Sequence, residues 1–183
     1  MKGLSIRTSP RLARTSAAVA ATAAIGGLGT DVTSRWYQDL DKPAWQPPGA
    51  AFGPAWTTLY GLMALSSART LNRLEKPGER RAFTTAFGAN LVLNAGWNWL
   101  FFKARRPRWA LVEILLLEAS TLDLTRRTRK ADTRAARMLV PYAGWVAFAT
   151  ALNASIARRN PPQPAATRRN PRERWTVMRK GTP

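Results

Sequence analysis

The sequence contains no cysteine and no histidine. Without thiols there is no disulfide, no thiolate nucleophile and no cysteine metal site. Without imidazole the chain lacks the commonest general base and the commonest axial ligand of haem. Acid is scarce too. Ten Asp and Glu stand against 29 Lys and Arg, which leaves the 183 residues with a formal net charge of +19. The sequence also shows no Gly-rich phosphate loop, no metal-ligand cluster and no nucleophilic triad. Most enzyme chemistries have nothing to work with here.

The chain is instead rich in apolar and tryptophan side chains: 45% of it is hydrophobic and eight residues are Trp. Its length suits one domain. A soluble chain this basic would read as a nucleic-acid binder, but the placement of charge argues against that. Every Lys and Arg falls outside five segments, 16–34, 51–68, 82–102, 109–125 and 138–157. Crossing a hydrocarbon layer of ~30 Å takes about 20 helical residues, and in lipid each span must satisfy its own backbone hydrogen bonds. The expected fold is therefore all-α, an integral membrane bundle of five transmembrane helices over 16–157. A basic segment, 1–15, precedes it. A basic, proline-rich tail, 158–183, follows and is expected to be disordered or to lie on a membrane surface. The tail and loops lower the mean hydropathy to −0.27. Their arginines suit anionic lipid headgroups, so lipid rather than nucleic acid is the expected partner.

Lys2, Arg7, Arg11 and Arg14 precede an Ala-rich run over 17–28. The pattern fits a secretory signal or a first span, and the continuation past Ser34 decides for the span. Ala23 with Gly27, and Gly26 with Thr30, have the small-xxx-small spacing that lets helices approach closely. In the loop 35–50, Pro43, Pro47 and Pro48 exclude a regular helix. Trp36, Tyr37 and Trp45 suit a membrane–water interface, so this loop is expected to be ordered and to lie over the bundle. Pro54 is expected in the first turn of span two, and Pro141 is expected to kink span five. The N-terminal segment and the loops 69–81 and 126–137 hold fifteen basic residues, against six on the opposite face before the tail. Loop charge thus favours a cytoplasmic N-terminus in a bacterial cell membrane.

Three spans carry polar or aromatic residues on one helical face. On span two these are Trp56, Tyr60, Met63 and Ser67. On span three they are Asn90, Asn94, Trp97 and Phe101, with Asn98 alongside. On span five they are Tyr142, Trp145, Ala149 and Asn153. Such stripes are read either as helix packing or as the flat aromatic walls of a shared cavity. Asn94 and Asn153 are the strongest candidates for structural bonds to a neighbouring backbone. Span four carries Glu113, Glu118 and Asp123. Residues five apart are turned by about 140° on a helix, so these acids share no face and form no paired-carboxylate site. Asp123 is expected to pair with Arg126 or Arg127, and Glu113 with Arg108 or the loop. Glu118 is read either as a functional acid or as a neutral or cross-paired one.

These residues resemble the TspO/MBR family, which comprises bacterial tryptophan-rich sensory proteins and the mitochondrial translocator protein or peripheral benzodiazepine receptor. The first loop matches in Trp36-Tyr37, Leu40, Lys42-Pro43, Trp45 and Pro47-Pro48, and continues into Phe52-Gly53-Pro54, Trp56-Thr57 and Leu59-Tyr60. Span three matches in Asn94, Trp97 and Phe101-Phe102, and Trp109-Ala110-Leu111 opens span four. Span five matches in Pro141-Tyr142, Trp145, Ala147-Phe148-Ala149, Leu152-Asn153 and Asn160. The match covers about residues 18–160.

The resemblance implies a five-helix bundle whose first loop helps to cover a pocket. It implies binding of protoporphyrin, haem or sterol-like molecules, no required cofactor, and often a homodimer. The ligand contacts it implies are Trp36, Trp45, Trp56, Tyr60, Asn94, Trp97, Phe101, Trp145 and Ala149. A metal-free porphyrin needs no axial ligand, so the missing histidine excludes only His-ligated haem. The sterol-recognition pattern of animal members is broken here, with Ala154 where a Tyr would stand between Leu152 and Arg158. Two alternatives to a receptor or carrier remain: light-dependent porphyrin breakdown with Trp56 and Trp145 as electron donors, and a non-catalytic membrane scaffold. Glu118 and the long tail are not features of the family pattern.

Overall fold

The structure, a computed structural model, describes residues 10–161. Most of the expected tail and the first nine residues of the basic N-terminal segment lie outside the described residues. Among the described residues there are only helices: α1 (Pro10–Gly29), α2 (Arg35–Gln38), α3 (Gly49–Arg73), α4 (Pro77–Asn98), α5 (Pro107–Ala131) and α6 (Thr133–Arg159). Five of these are long. Each begins before its expected span, and α3, α5 and α6 run past its end, because the expected spans stop at the first Lys or Arg whereas helices continue into basic turns; α4 stops at Asn98 and reaches the end of its span only through a turn of different pitch. α1 ends at Gly29, five residues before the expected end, and Thr30 to Ser34 turn the chain instead.

The long helices form a closed ring. α1 packs between α3 and α4, α4 against α5, α5 against α6, and α6 against α3. Glycine sets the closeness of α1 to α4. A Cβ on Gly26 would lie 2.9 Å from Asn98 Nδ2, and one on Gly29 would lie 2.8 Å from Trp99 Cδ1. The main core is built from Leu59, Met63, Phe83, Phe87, Leu117, Leu139 and their neighbours. Large apolar side chains also face outward, among them Val92 (72% exposed) and Trp109 (61%). Such a coat suits hydrocarbon rather than water. By length and composition, one helix among the described residues, Thr133–Arg159, is apolar enough to cross a membrane. The other four are diluted by polar residues, some turned inward, such as Asn90 and Asn94, and some exposed, such as Arg14 and Thr57.

Several local features depart from expectation. Pro54 sits in the second turn of α3, not the first, because the helix begins directly after Pro47-Pro48, with Pro48 as its N-cap. Pro141 lies inside α6, as its place in span five requires, and does not end the helix. α4 continues into a π-turn, Trp99–Lys103, in which the Ala104 N–H donates to the Trp99 carbonyl at 2.8 Å. The wider turn rotates successive residues less, so Phe101 and Phe102 are both buried. Arg105 then takes a left-handed φ of 54° to reverse the chain ahead of Pro107.

One residue, Asp132, joins α5 to α6. Its carboxylate accepts from the Arg134 and Ala135 N–H groups, capping α6, and lies 3.1 Å from an Arg69 nitrogen. The Ala135 amide, followed by Arg69, holds this carboxyl below the usual Asp range despite burial.

Candidate ligand-binding cavity

At the end of the ring opposite Asp132, the helices part around a cavity of about 770 Å³. α1 contributes Ala23 and Gly26, whose lack of bulk leaves room. α3 contributes Phe52, Trp56 and Tyr60. α4 and its π-turn contribute Asn94, Trp97 and Phe101, while α6 contributes Trp145, Ala149 and Leu152. Ile114 and Leu117 of α5 close the inner side. Tyr37, Gln38, Lys42 and Gln46 of the loop after α1 cover the mouth.

The aromatic walls brace one another. The Trp56 and Trp145 rings lie 6.2 Å apart at 81°, Trp56 leans on Tyr60 at 5.1 Å, and Trp97 stacks on Phe101 at 5.0 Å. Such pairs hold rings in place beyond what area burial alone gives. The loop is anchored at its beginning and at its middle. Trp36 packs edge-on against Phe101 at 5.8 Å, and Tyr37 against Phe102 at 5.2 Å. At its far side Asp41 N–H donates to Asn160 Oδ1 and Asn160 Nδ2 donates back to the Asp41 carbonyl, both at 3.0 Å. Arg159 adds an ion pair to Asp41 at 3.4 Å. Lys42 donates to the Gln38 and Leu40 carbonyls and lies 4.6 Å over the Tyr37 ring. The mouth therefore carries a cation held by the loop.

Of the nine expected contact residues, the fold brings seven to the cavity wall: Trp56, Tyr60, Asn94, Trp97, Phe101, Trp145 and Ala149. Trp36 and Trp45 are not in the wall. Trp36 supports Phe101 from behind, and Trp45, half exposed, packs edge-on against Phe148. Asn153 does bond a neighbouring backbone, donating to the Pro107 carbonyl at 2.7 Å. Asn94 bonds side chains instead, Tyr60 and Tyr142.

The acids of α5 also sort themselves. Asp123 pairs with Arg127. Glu113 does not pair with Arg108, because five positions along α5 turn the two to different faces. Glu113 is buried facing Gly96, and neither carboxylate oxygen has a hydrogen-bond partner among the described residues. Glu118 makes no ion pair among the described residues. Sequence reasoning missed the contribution of α1. Its small-residue spacing was legible, but small residues leave room for a ligand as readily as for a helix.

Fold and site together define an α-helical membrane bundle built around a single-ended aromatic cavity. The TspO/MBR family profile matches residues 15–159, and the chain belongs to that family. It is 38% identical over 127 residues to the human translocator protein, covering 69% of this chain and 75% of that protein. It is 34% identical over 142 residues to the tryptophan-rich protein TspO of Chlorobaculum tepidum (75% and 90%). To protein CrtK of Rhodobacter capsulatus it is 36% identical over 133 residues (72% and 82%).

Proposed function

We propose that this protein is a membrane receptor or carrier that binds a tetrapyrrole, or a polycycle of similar outline, in the aromatic cavity. The observation that carries the reading is the cavity itself. Its volume lies within the range of small-molecule sites, roughly 300–1,000 Å³, and its walls are flat rings with few polar groups. A porphyrin's two faces would meet indoles. Its acidic edge would meet Lys42 at the mouth.

In this reading the five long helices are five spans. The N-terminal side faces the cytoplasm of a bacterial cell, and the outward apolar coat meets lipid or a second copy of the chain. No cofactor is required. A second reading draws on the Trp56–Trp145 pair: under light, an indole would give an electron to the excited ring, the ring would pass it to dioxygen, and the superoxide would add to the ring with return of the electron to the indole, so that the net change is addition of dioxygen to the ring.

The test is a dark titration of the detergent-purified protein with protoporphyrin IX, followed by tryptophan quenching. Saturable micromolar binding, weakened in the Trp56→Phe/Trp145→Phe variant, is expected. Folded protein without saturable binding would sink the proposal. Illuminating the saturated sample then separates binding from breakdown.

A further inference from the structure

Two hydrogen-bond chains start at the cavity wall and end on backbone carbonyls, and each turns the proton of its first residue away from the cavity. The longer one is best followed from its inner end. Thr121 Oγ1 donates to the Leu117 carbonyl at 2.8 Å. A hydroxyl has one proton, so toward Asn90 this oxygen can only accept. Asn90 Nδ2 donates to it at 2.9 Å, which turns Asn90 Oδ1 toward Tyr142. The Tyr142 hydroxyl donates to that oxygen at 3.2 Å and accepts from Asn94 Nδ2 at 3.1 Å. Asn94 Oδ1 therefore faces Tyr60, whose hydroxyl donates to it at 2.6 Å. Running the chain in reverse would forfeit the Thr121–Leu117 bond, so the direction is set. The shorter chain does the same to Trp97. Its indole N–H donates to Asn153 Oδ1 at 2.9 Å, and Asn153 Nδ2 donates to the Pro107 carbonyl at 2.7 Å.

We infer that Tyr60 and Trp97 turn no polar proton to the cavity, so that a ligand edge set against the Tyr60 oxygen must itself bring an N–H or O–H. Tyr60 has lone pairs left but no proton, and Trp97 has its π-face but no N–H. A ligand carbonyl or ether placed there meets oxygen against oxygen. Asn94 and Tyr142 act as positioning residues, because they decide which way the Tyr60 proton points. The inference rests on the reading that the cavity binds a ligand.

The probes are a benzocarbazole and the benzonaphthofuran of the same outline, which differ in a ring N–H and a ring oxygen. Dissociation constants are measured on the full chain in detergent, corrected for micelle partition. Wild type is expected to bind the carbazole about three- to tenfold tighter, the worth of one net hydrogen bond. Tyr142 is fully buried and outside the cavity wall. In Tyr142→Phe the Asn94 amide loses the oxygen that accepts its N–H and can turn that N–H to Tyr60, which frees the Tyr60 proton. The preference should then shrink to within about twofold. Asn94→Leu should relax it in the same direction. A merely structural role for Tyr142 would weaken both ligands together and leave their ratio unchanged. Equal binding by wild type, or an unchanged ratio in folded Tyr142→Phe, would overturn the inference while leaving the cavity reading intact. Wild type that binds neither probe nor protoporphyrin would overturn both.

Discussion

The two ends of this bundle are built from the same five helices and differ in what separates them. At one end the links are minimal: Leu74 to Lys76 between α3 and α4, and Asp132 alone between α5 and α6. The side chains there are small or hydroxylated. Ser66, Thr70, Thr128 and Ala135 are fully buried, and Ser66 Oγ donates to the Ala135 carbonyl across the α3–α6 contact at 2.8 Å. Short links and small side chains bring the helices together there. At the other end a long loop and a π-turn hold the helices apart, and rings too wide to interdigitate line the gap. Side-chain width and link length, rather than helix propensity, decide which end holds a cavity.

The same insertion at both ends should break that symmetry. Ala135→Leu forces a larger side chain into a filled contact and should cost about 1–3 kcal/mol. Ala149→Leu points into open space. It should move stability by less than about 1 kcal/mol while lowering protoporphyrin affinity at least tenfold. Thermal unfolding in detergent and the dark titration read the two effects. Equal destabilisation by both substitutions would erase the distinction between the ends.

A smaller effect should come from the clasp at the filled end. Asp132→Ala removes the α6 cap and should cost about 1 kcal/mol, somewhat more if Arg69 is left without a partner. Its signature is in pH. The native carboxyl is held low, so its contribution is complete above its unfolded value of about 4 and fades as pH falls through the lower native value. Unfolding midpoints should drop more between about pH 5 and pH 2 in wild type than in Asp132→Ala. Parallel acid profiles would show that the clasp contributes nothing.

The smallest effect belongs to the open end. Arg105 occupies a left-handed conformation at a cost of about 1–2 kcal/mol, and glycine would relieve it while adding about 0.5–1 kcal/mol of chain entropy to lose. Arg105→Gly should raise the midpoint slightly, by a few tenths of a kcal/mol net. A clear fall would mean that the arginine side chain earns its place by contact.

Much of this was legible in the sequence because lipid is an undemanding reader. Segments without Lys or Arg become helices over most of their length, and the aromatic stripes on 56–60, 94–101 and 145–149 lie on the faces that helical periodicity assigns them. What stayed hidden depends on neighbours. Nothing in Trp99–Lys103 marks a π-turn, since the signal is a hydrogen bond to the fifth residue rather than a composition. Trp36 and Trp45 carry the same apolar chemistry as Trp56, and only the path of the loop sends them behind the wall. Glu113 differs from Asp123 by a rotation about α5 that matters only once α4 lies alongside.

The seven described tryptophans are unevenly placed: Trp36 and Trp45 on the loop, Trp97, Trp99 and Trp109 around the π-turn, Trp56 and Trp145 on the cavity wall. None lies near the Asp132 clasp. Intrinsic emission from the bundle is therefore a one-sided witness. It will register a ligand arriving or the loop lifting, and it will stay almost silent while the filled end loosens. Melting curves followed by fluorescence of a Trp175→Phe chain should consequently report the cavity half, and backbone hydrogen exchange at Ser66, Thr70 and Ala135 the other.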